Sequence, residues 1–320
     1  MSLPPVHRIS IPTQYAVGPV NCYVIDAGPV TLIDAGINTP EGHNALVLGL
    51  TECGHSVHSI ERILITHAHP DHYGLVHVIQ DASGATVHFP AREIARVRDL
   101  EMLFEVGRLL VEAGTPLDLL FQMDQQRKKD RTRPAMNHDE VALVEDGDLF
   151  EFDGFELEAH FMPGHTGGHV VYYERRGGSL WAGDQLLPDV SPNPLLEPSL
   201  DEPGERRRSL KEYLDSLARM AAMDLAIVYP GHGDPVTDPH ALIDRTIRHH
   251  ERRKQAVAGR LDGEPRTPYE IAMALYPSVS GYDVFLAVSE TLAHLDLVVD
   301  DGDAMTSRRD GVTYYSAAGR

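Results

Sequence analysis

The stretch "ERILITHAHPDHYGLVHVIQ" (61–80) decides the fold. Its opening, "ERILI" (61–65), is the short apolar run of a buried strand, and "GLVHVIQ" (74–80) reads as the start of a helix. Between them lies "THAHPDH" (66–72), which packs three histidines and an aspartate into one loop. His67, His69, Asp71 and His72 therefore sit on a strand-to-helix connection, the kind of place where sites are carried. His67 and His69 are two apart, so on an extended segment they point the same way. Asp71 and His72 lie where the chain turns into a helix and can face a second point nearby, so one loop can serve two metals.

Working outward, the pairing of a strand end with His or Asp recurs. "PGHTGGH" (163–169) follows an apolar strand and offers His165 and His169; "WAGDQ" (181–185) offers Asp184; "YPGHGDP" (229–235) offers His232. Each lies next to glycine, which allows sharp turns and close approach of an ion. In open α/β architectures, strand ends are where ligands collect. Neutral imidazole and carboxylate suit zinc and similar ions. Two such ions roughly 3.5–4 Å apart can share a hydroxide that is nucleophilic at neutral pH.

The rest of the chain alternates in the same way. "VNCYVIDA" (20–27) and "VTLIDAG" (30–36) read as strands joined by a Gly-Pro turn, and 40–53 reads as a helix capped by Thr39. A helix at about 73–82 precedes the strand "ATVHF" (85–89). Strands follow at 140–147, 155–162, 169–175, 178–184 and 225–230, with helices at about 203–222 and 238–258. Cys22 is read as a core residue, and Tyr73 as packing at a helix start, with contact to a substrate as the alternative. His43, His55, His58, His77 and His88 are read as ordinary helix, strand or loop residues, and the His249–His250 pair as a helix surface.

With 320 residues the chain can bury a sizeable core. No apolar run approaches the ~20 residues that span a bilayer, and "MSLPPVHRIS" shows no signal-peptide pattern. Two cysteines, Cys22 and Cys53, do not suggest a disulfide framework, so the expected compartment is the cytoplasm. A formal net charge of −20 argues against general nucleic-acid binding.

"THAHPDH" matches the H-x-H-x-D-H signature of the metallo-β-lactamase superfamily, and "PGHTGGH", "AGD" and "YPGHG" resemble its remaining ligand motifs in the same order. The resemblance spans roughly residues 6–258. It implies an α/β fold, the αββα sandwich, with the site along one edge of the paired sheets. Carried over, it implies that His67, His69 and His165 hold a first divalent ion, and that Asp71, His72 and His232 hold a second. Asp184 bridges them, and His169 stands behind the ligands. Zinc is the implied metal, with iron or manganese as alternatives. The superfamily includes thioester, lactone, lactam and phosphodiester hydrolases. The form "PGHTGGH", with "AGDQLLPDVSPNP" (182–194), is most similar to its glyoxalase II-like group.

Two additions distinguish the chain. The insert at about 92–133 carries "LEMLFEVGRLLVEAGTPLDLLFQM" (100–123), apolar at helical spacings. It reads equally as a core-packed helical pair or as an apolar lid. The basic run Arg127, Lys128, Lys129, Arg131 and Arg133 follows it, read most simply as a solvated helix end and alternatively as an attractor of an anionic substrate such as an acyl-CoA or nucleotide. Beyond a main domain at 1–258 and the linker-like "LDGEPRTP" (261–268), the tail 261–320 reads as helix, helix and hairpin. It resembles the winged-helix tail of some β-lactamase-like proteins, some of which cut RNA. It holds ten Asp or Glu against four Arg, however, the wrong sign for tracking phosphates.

The sequence is thus read as a dinuclear metal-dependent hydrolase of a small-molecule ester or thioester, acting through a metal-bridging hydroxide with Asp71 orienting it. A lactonase or a metal-dependent nuclease is the alternative. The expected partner is the small-molecule substrate, an acyl thioester among the candidates, with no membrane; a homo-oligomer is left open.

Overall fold

The structure is a computed structural model that describes residues 5–94, 97, 101–129 and 140–319. A six-stranded sheet runs in chain order: β1 (Val6–Ile11), β2 (Val20–Ile25), β3 (Thr31–Ile33), β4 (Arg62–Leu64), β5 (Thr86–Pro90) and β6 (Val141–Val144). Its first three strands pair antiparallel and the rest parallel. The second sheet reverses the chain order. It runs from β11 (Ile227–Pro230) through β10 (Ser179–Gly183), β9 (Val170–Glu174) and β8 (Phe155–Phe161) to β7 (Leu149–Phe152), antiparallel except for β10–β11.

The sheets face each other across one apolar layer. Tyr23, Ile25, Ile33 and Leu64 from the first meet Phe150, Leu157, Tyr172 and Trp181 from the second. Helices cover both outer faces, because β2, β9 and β10 are buried along their whole length and need apolar cover on each side. Over the first sheet lie α1 (Pro40–Glu52), α2 (Pro70–Tyr73) and α3 (Val76–Ser83), inserting Leu46, Leu50, Val76 and Ile79. Thr39 caps α1, its hydroxyl accepting from the Gly42 N–H at 3.0 Å. Over the second sheet lie α6 (Ser209–Ala221) and α7 (Pro239–Ala258), inserting Leu210, Leu217, Leu242 and Ile243. The order of layers is therefore αββα, as the resemblance implies.

The insert forms α4 (Glu101–Glu112) and α5 (Leu117–Lys129). The tail forms α8 (Pro268–Leu275), α9 (Asp283–Asp300) and a hairpin of β12 (Ala304–Arg309) and β13 (Val312–Ala317). Insert and tail share a core: Leu109, Leu110, Ala113 and Met123 pack with Ile271, Val288, Leu292 and Leu295. Phe104, Leu117 and Phe121 of the insert face outward. The basic run beginning at Arg127 lies outside the described side chains. No helix among the described residues is long and apolar enough to cross a membrane.

Three readings need correction. Strands β1 and β7 went unread; "VHRISI" and "LFEF" are short segments whose pairing with β2 and β8 settles them. Helix α6 begins at Ser209 rather than near 203, because Gly204 takes a left-handed φ of 88°. His250 is not a surface residue. It is 1% exposed, stacked on His294 of α9 with ring centroids 5.4 Å apart.

Candidate metal centre

Four strand ends deliver the site. β4 leads into Thr66–His69, and α2 begins with Pro70 and carries Asp71 and His72. The loop after β8 carries His165, β10 ends at Gly183 before Asp184, and β11 ends at Pro230 before His232. The structure brings all seven residues together in two groups: His67, His69, His165 and Asp184, and beside it Asp71, His72 and His232. All but His69 are buried.

In the first group, His69 Nδ1 lies 2.9 Å from His67 Nε2 and 3.0 Å from His165 Nε2. Nitrogens bound to one tetrahedral ion at about 2.0–2.1 Å would lie about 3.3 Å apart, so a small spreading of the three rings admits an ion. In the second, His232 Nε2 is 3.4 Å from Asp71 Oδ2. Asp184 faces both: its Oδ1 is 3.3 Å from His72 Nε2, and its Oδ2 is 3.6 Å from both His165 Nε2 and His232 Nε2.

Hydrogen bonds on the outer ring nitrogens fix which inner nitrogens carry lone pairs. His72 Nδ1 donates to Asp34 Oδ2 at 2.7 Å and His232 Nδ1 to the Pro19 carbonyl at 2.8 Å. The Thr66 hydroxyl donates to Asp34 and accepts from His67 Nδ1 at 3.0 Å. In the neutral form of each ring the inner Nε2 atom is then the acceptor, and these atoms converge on the same space. His72 Nε2, His232 Nε2 and Asp184 Oδ1 are buried with no hydrogen bond at all. Orphaned acceptors whose far sides are anchored to carboxylate or carbonyl are what a metal ligand set requires. The space itself is guarded by glycine: a Cβ on Gly231 would come within 2.3 Å of Asp184 Oδ1. The residues present therefore fit two divalent ions.

Electrostatics divide the histidines. Burial, reinforced by neighbouring His72 and His69, holds His67 well below the ordinary histidine range. Burial opposes protonation of His72 too, but Asp184, Asp34 and Asp71 outweigh it and hold that ring well above the range. Burial would raise the Asp184 carboxyl, yet His72 and His232 hold it well below the usual carboxylate range.

Sequence reasoning missed two supporting carboxylates. Asp34, 2% exposed, sits just past β3 at φ 57° and accepts from the main chain and hydroxyl of Thr66 as well as from His72. Its only linear signal is an Asp after an apolar strand in "LIDAG", the pattern of "WAGD". Glu93 is wholly buried beneath the ligand loops. His169 stands behind the site: its ring stacks on His67 at 4.8 Å, and its Nε2 accepts from the Asp184 N–H at 3.2 Å. Tyr73 and Cys22 are buried in the core, and His43, His55, His58, His77 and His88 belong to neither cluster.

A further His250–Glu290–His294 group closes on itself. The Ser191 hydroxyl donates to His250 Nε2 at 2.7 Å, His250 Nδ1 to His294 Nε2 at 3.3 Å, and His294 Nδ1 to the Glu290 carbonyl at 2.7 Å. That chain leaves no ring nitrogen bare and needs no ion.

Two facing sheets between helix layers, with paired His/Asp clusters at their strand ends, define a metallohydrolase architecture. The profile of the Metallo-beta-lactamase superfamily matches residues 15–232, and the chain belongs to that family. Probable metallo-hydrolase YqjP of Bacillus subtilis (strain 168) is 34% identical over 324 residues, 98% of each chain. The metallo-beta-lactamase family protein TTHA1429 from Thermus thermophilus superposes with TM-score 0.83 at 31% identity, over 98% of this chain and 99% of that one. A Beta-lactamase domain protein from Burkholderia ambifaria shares the fold, with TM-score 0.82 at 22% identity over 99% and 93% of the chains. With its His/Asp clusters in place, this chain is a metal-dependent hydrolase.

Proposed function

We propose that the protein hydrolyses a small-molecule ester or thioester, with two ions, zinc by preference, held by the seven clustered residues. His67, His69 and His165 would hold one ion and Asp71, His72 and His232 the other, with Asp184 between them. When bound, the ions supply Lewis acidity and bring the pKa of water near neutrality. Asp71, only 6% exposed, would orient the attacking hydroxide as well as hold an ion. His169 and Asp34 keep Asp184 and His72 in register through the hydrogen bonds described.

The observation that carries the small-molecule reading is the tail's charge. Ten acidic residues face four arginines there, and Arg308 on the hairpin is already paired with Glu112 at 2.8 Å. A surface of that kind repels a polyphosphate. The thioester reading draws on the glyoxalase II-like form of "PGHTGGH". Cys22 and Cys53 are both free, in keeping with a cytoplasmic enzyme. The test is hydrolysis of an acyl-thioester and ester panel, with lactones included, beside single-stranded RNA, by the zinc-loaded protein. Thioester or ester turnover without RNA cleavage supports the reading; RNA cleavage alone overturns it in favour of a nuclease.

A further inference from the structure

Glu93 stands where the insert begins. It ends a one-turn 3-10 helix, Ala91–Glu93, directly after β5, and is 0% exposed. It belongs to neither His/Asp cluster. Its two carboxylate oxygens reach two different loops. Oε2 accepts from the main-chain N–H of Ala68 at 2.9 Å, the residue between His67 and His69. Oε1 accepts from the Thr166 hydroxyl at 2.7 Å and from the Gly168 N–H at 2.6 Å, in the loop that carries His165. The fit is close: a Cβ on Gly168 would meet the main-chain nitrogen of Glu93 at 2.7 Å.

We infer that Glu93 is a positioning residue for the first cluster: its one carboxylate sets the spacing between the His67–His69 loop and the His165 loop, and so the affinity for the first ion. The inference rests on the metal reading given above. Ala68 adjoins both His67 and His69, and Thr166 adjoins His165, so each loop is held one residue from a ligand. The three donors converge on one ionisable acceptor, which makes the bonds short and strong. His67 Nε2, His69 Nδ1 and His165 Nε2 meet only when the two loops hold this separation. The second cluster has a different tie: His72 is anchored to Asp34, and His232 to the Pro19 carbonyl. Loss of Glu93 should therefore be felt unequally by the two ions.

The charge and both acceptor oxygens are needed. Glu93→Gln keeps the size and one acceptor oxygen, but sets an amide N–H against the donors of one loop. Chelator-stripped full-length parent and variant are titrated with Zn2+ alone by calorimetry, and the melting midpoint of each metal-free chain is recorded. The parent takes two equivalents. In Glu93→Gln, one equivalent weakens about 10–100-fold, as loss of a ligand-supporting partner typically does, while the other stays within about threefold. Thr166→Val, which removes one donor, weakens the same equivalent by less, and decides the matter if the Gln variant does not fold. Two equivalents at parental affinity in the variants would overturn the inference. So would equal weakening of both equivalents alongside a lowered metal-free midpoint, which is the mark of general loosening. A parent that takes up no Zn2+ would overturn the metal reading itself and this inference with it.

Discussion

At the scale of single residues, Asp184 has no replacement. Its two oxygens face His72 on one side and His165 and His232 on the other. Asp184→Ala should lower bound metal from about two equivalents to about one or fewer and cut kcat/KM by more than roughly 100-fold. Asp189, five positions on and exposed, should tolerate the same change. Metal analysis with parallel kinetics checks this; equal losses in both variants would point to loop folding instead. Asp34 gives a subtler case. Asn also tolerates a left-handed φ, so Asp34→Asn keeps the turn but loses the anionic acceptor for His72 Nδ1. Affinity at the His72 site should fall about 10–100-fold with the fold retained, read by metal titration and a melting curve. The clustered residues were legible because metal chemistry restricts candidates to His and Asp beside glycine at strand ends. Asp34 and Glu93 were not, because they act on main-chain N–H groups and on partners tens of residues away, which leave no spacing to read.

At the scale of elements, α7 and α9 show where pattern reading stops. In "RTIRHHERRKQ" (245–255) the charges around His250 suggest a solvated face. What buries His250 is α9, more than thirty residues later in the chain, whose His294 meets it. Burial first, then the neighbouring His294, His249 and Arg253, holds His250 down at about 3. Burial, with Arg253, His249 and Lys254, holds His294 at about 4 despite its bond to the Glu290 carbonyl. Both are thus neutral in the fold, while in the unfolded chain they protonate below about 6.5. Their contribution to stability is complete above that pH and is lost as pH falls towards about 4 and then about 3. Glu290, pushed up to about 7 by burial, works in the opposite sense, losing stability as pH rises towards its own value; it is kept in both proteins compared. The double variant His250→Gln, His294→Gln should be less stable than the parent at about pH 7.5, with the gap narrowing towards about pH 4.5. Denaturant titration of the metal-free proteins across that range is the check, and a gap that widens on acidification would refute the assignment.

At the scale of the whole molecule, the apolar runs made the layers readable, since strands buried on both faces carry nearly unbroken hydrophobic sequence. The shared core of insert and tail was not readable, because Leu109 and Leu295 are brought together only by the fold. The tail also packs on the body that carries the His/Asp clusters, Ala293 lying in one core with Leu242 and Ile243. Its net charge then decides what it can greet. Were the substrate RNA, binding should weaken steeply with salt, by a log–log slope of roughly −0.7 for each phosphate contacted. The tail's clustered cations are Arg308 and Arg309; the first is tied to Glu112, and the second lies over the Tyr314 ring at 5.4 Å. Arg308 is 62% exposed, and such surface pairs contribute about 0–1 kcal/mol, so their removal should leave the fold intact. Arg308→Ala with Arg309→Ala should therefore leave ester or thioester turnover within about twofold, ~0.4 kcal/mol in barrier. The parent's kcat/KM should depend only mildly on salt. Strong RNA cleavage by the parent, lost in this double variant and suppressed by salt, would remove the small-molecule reading and install the nuclease.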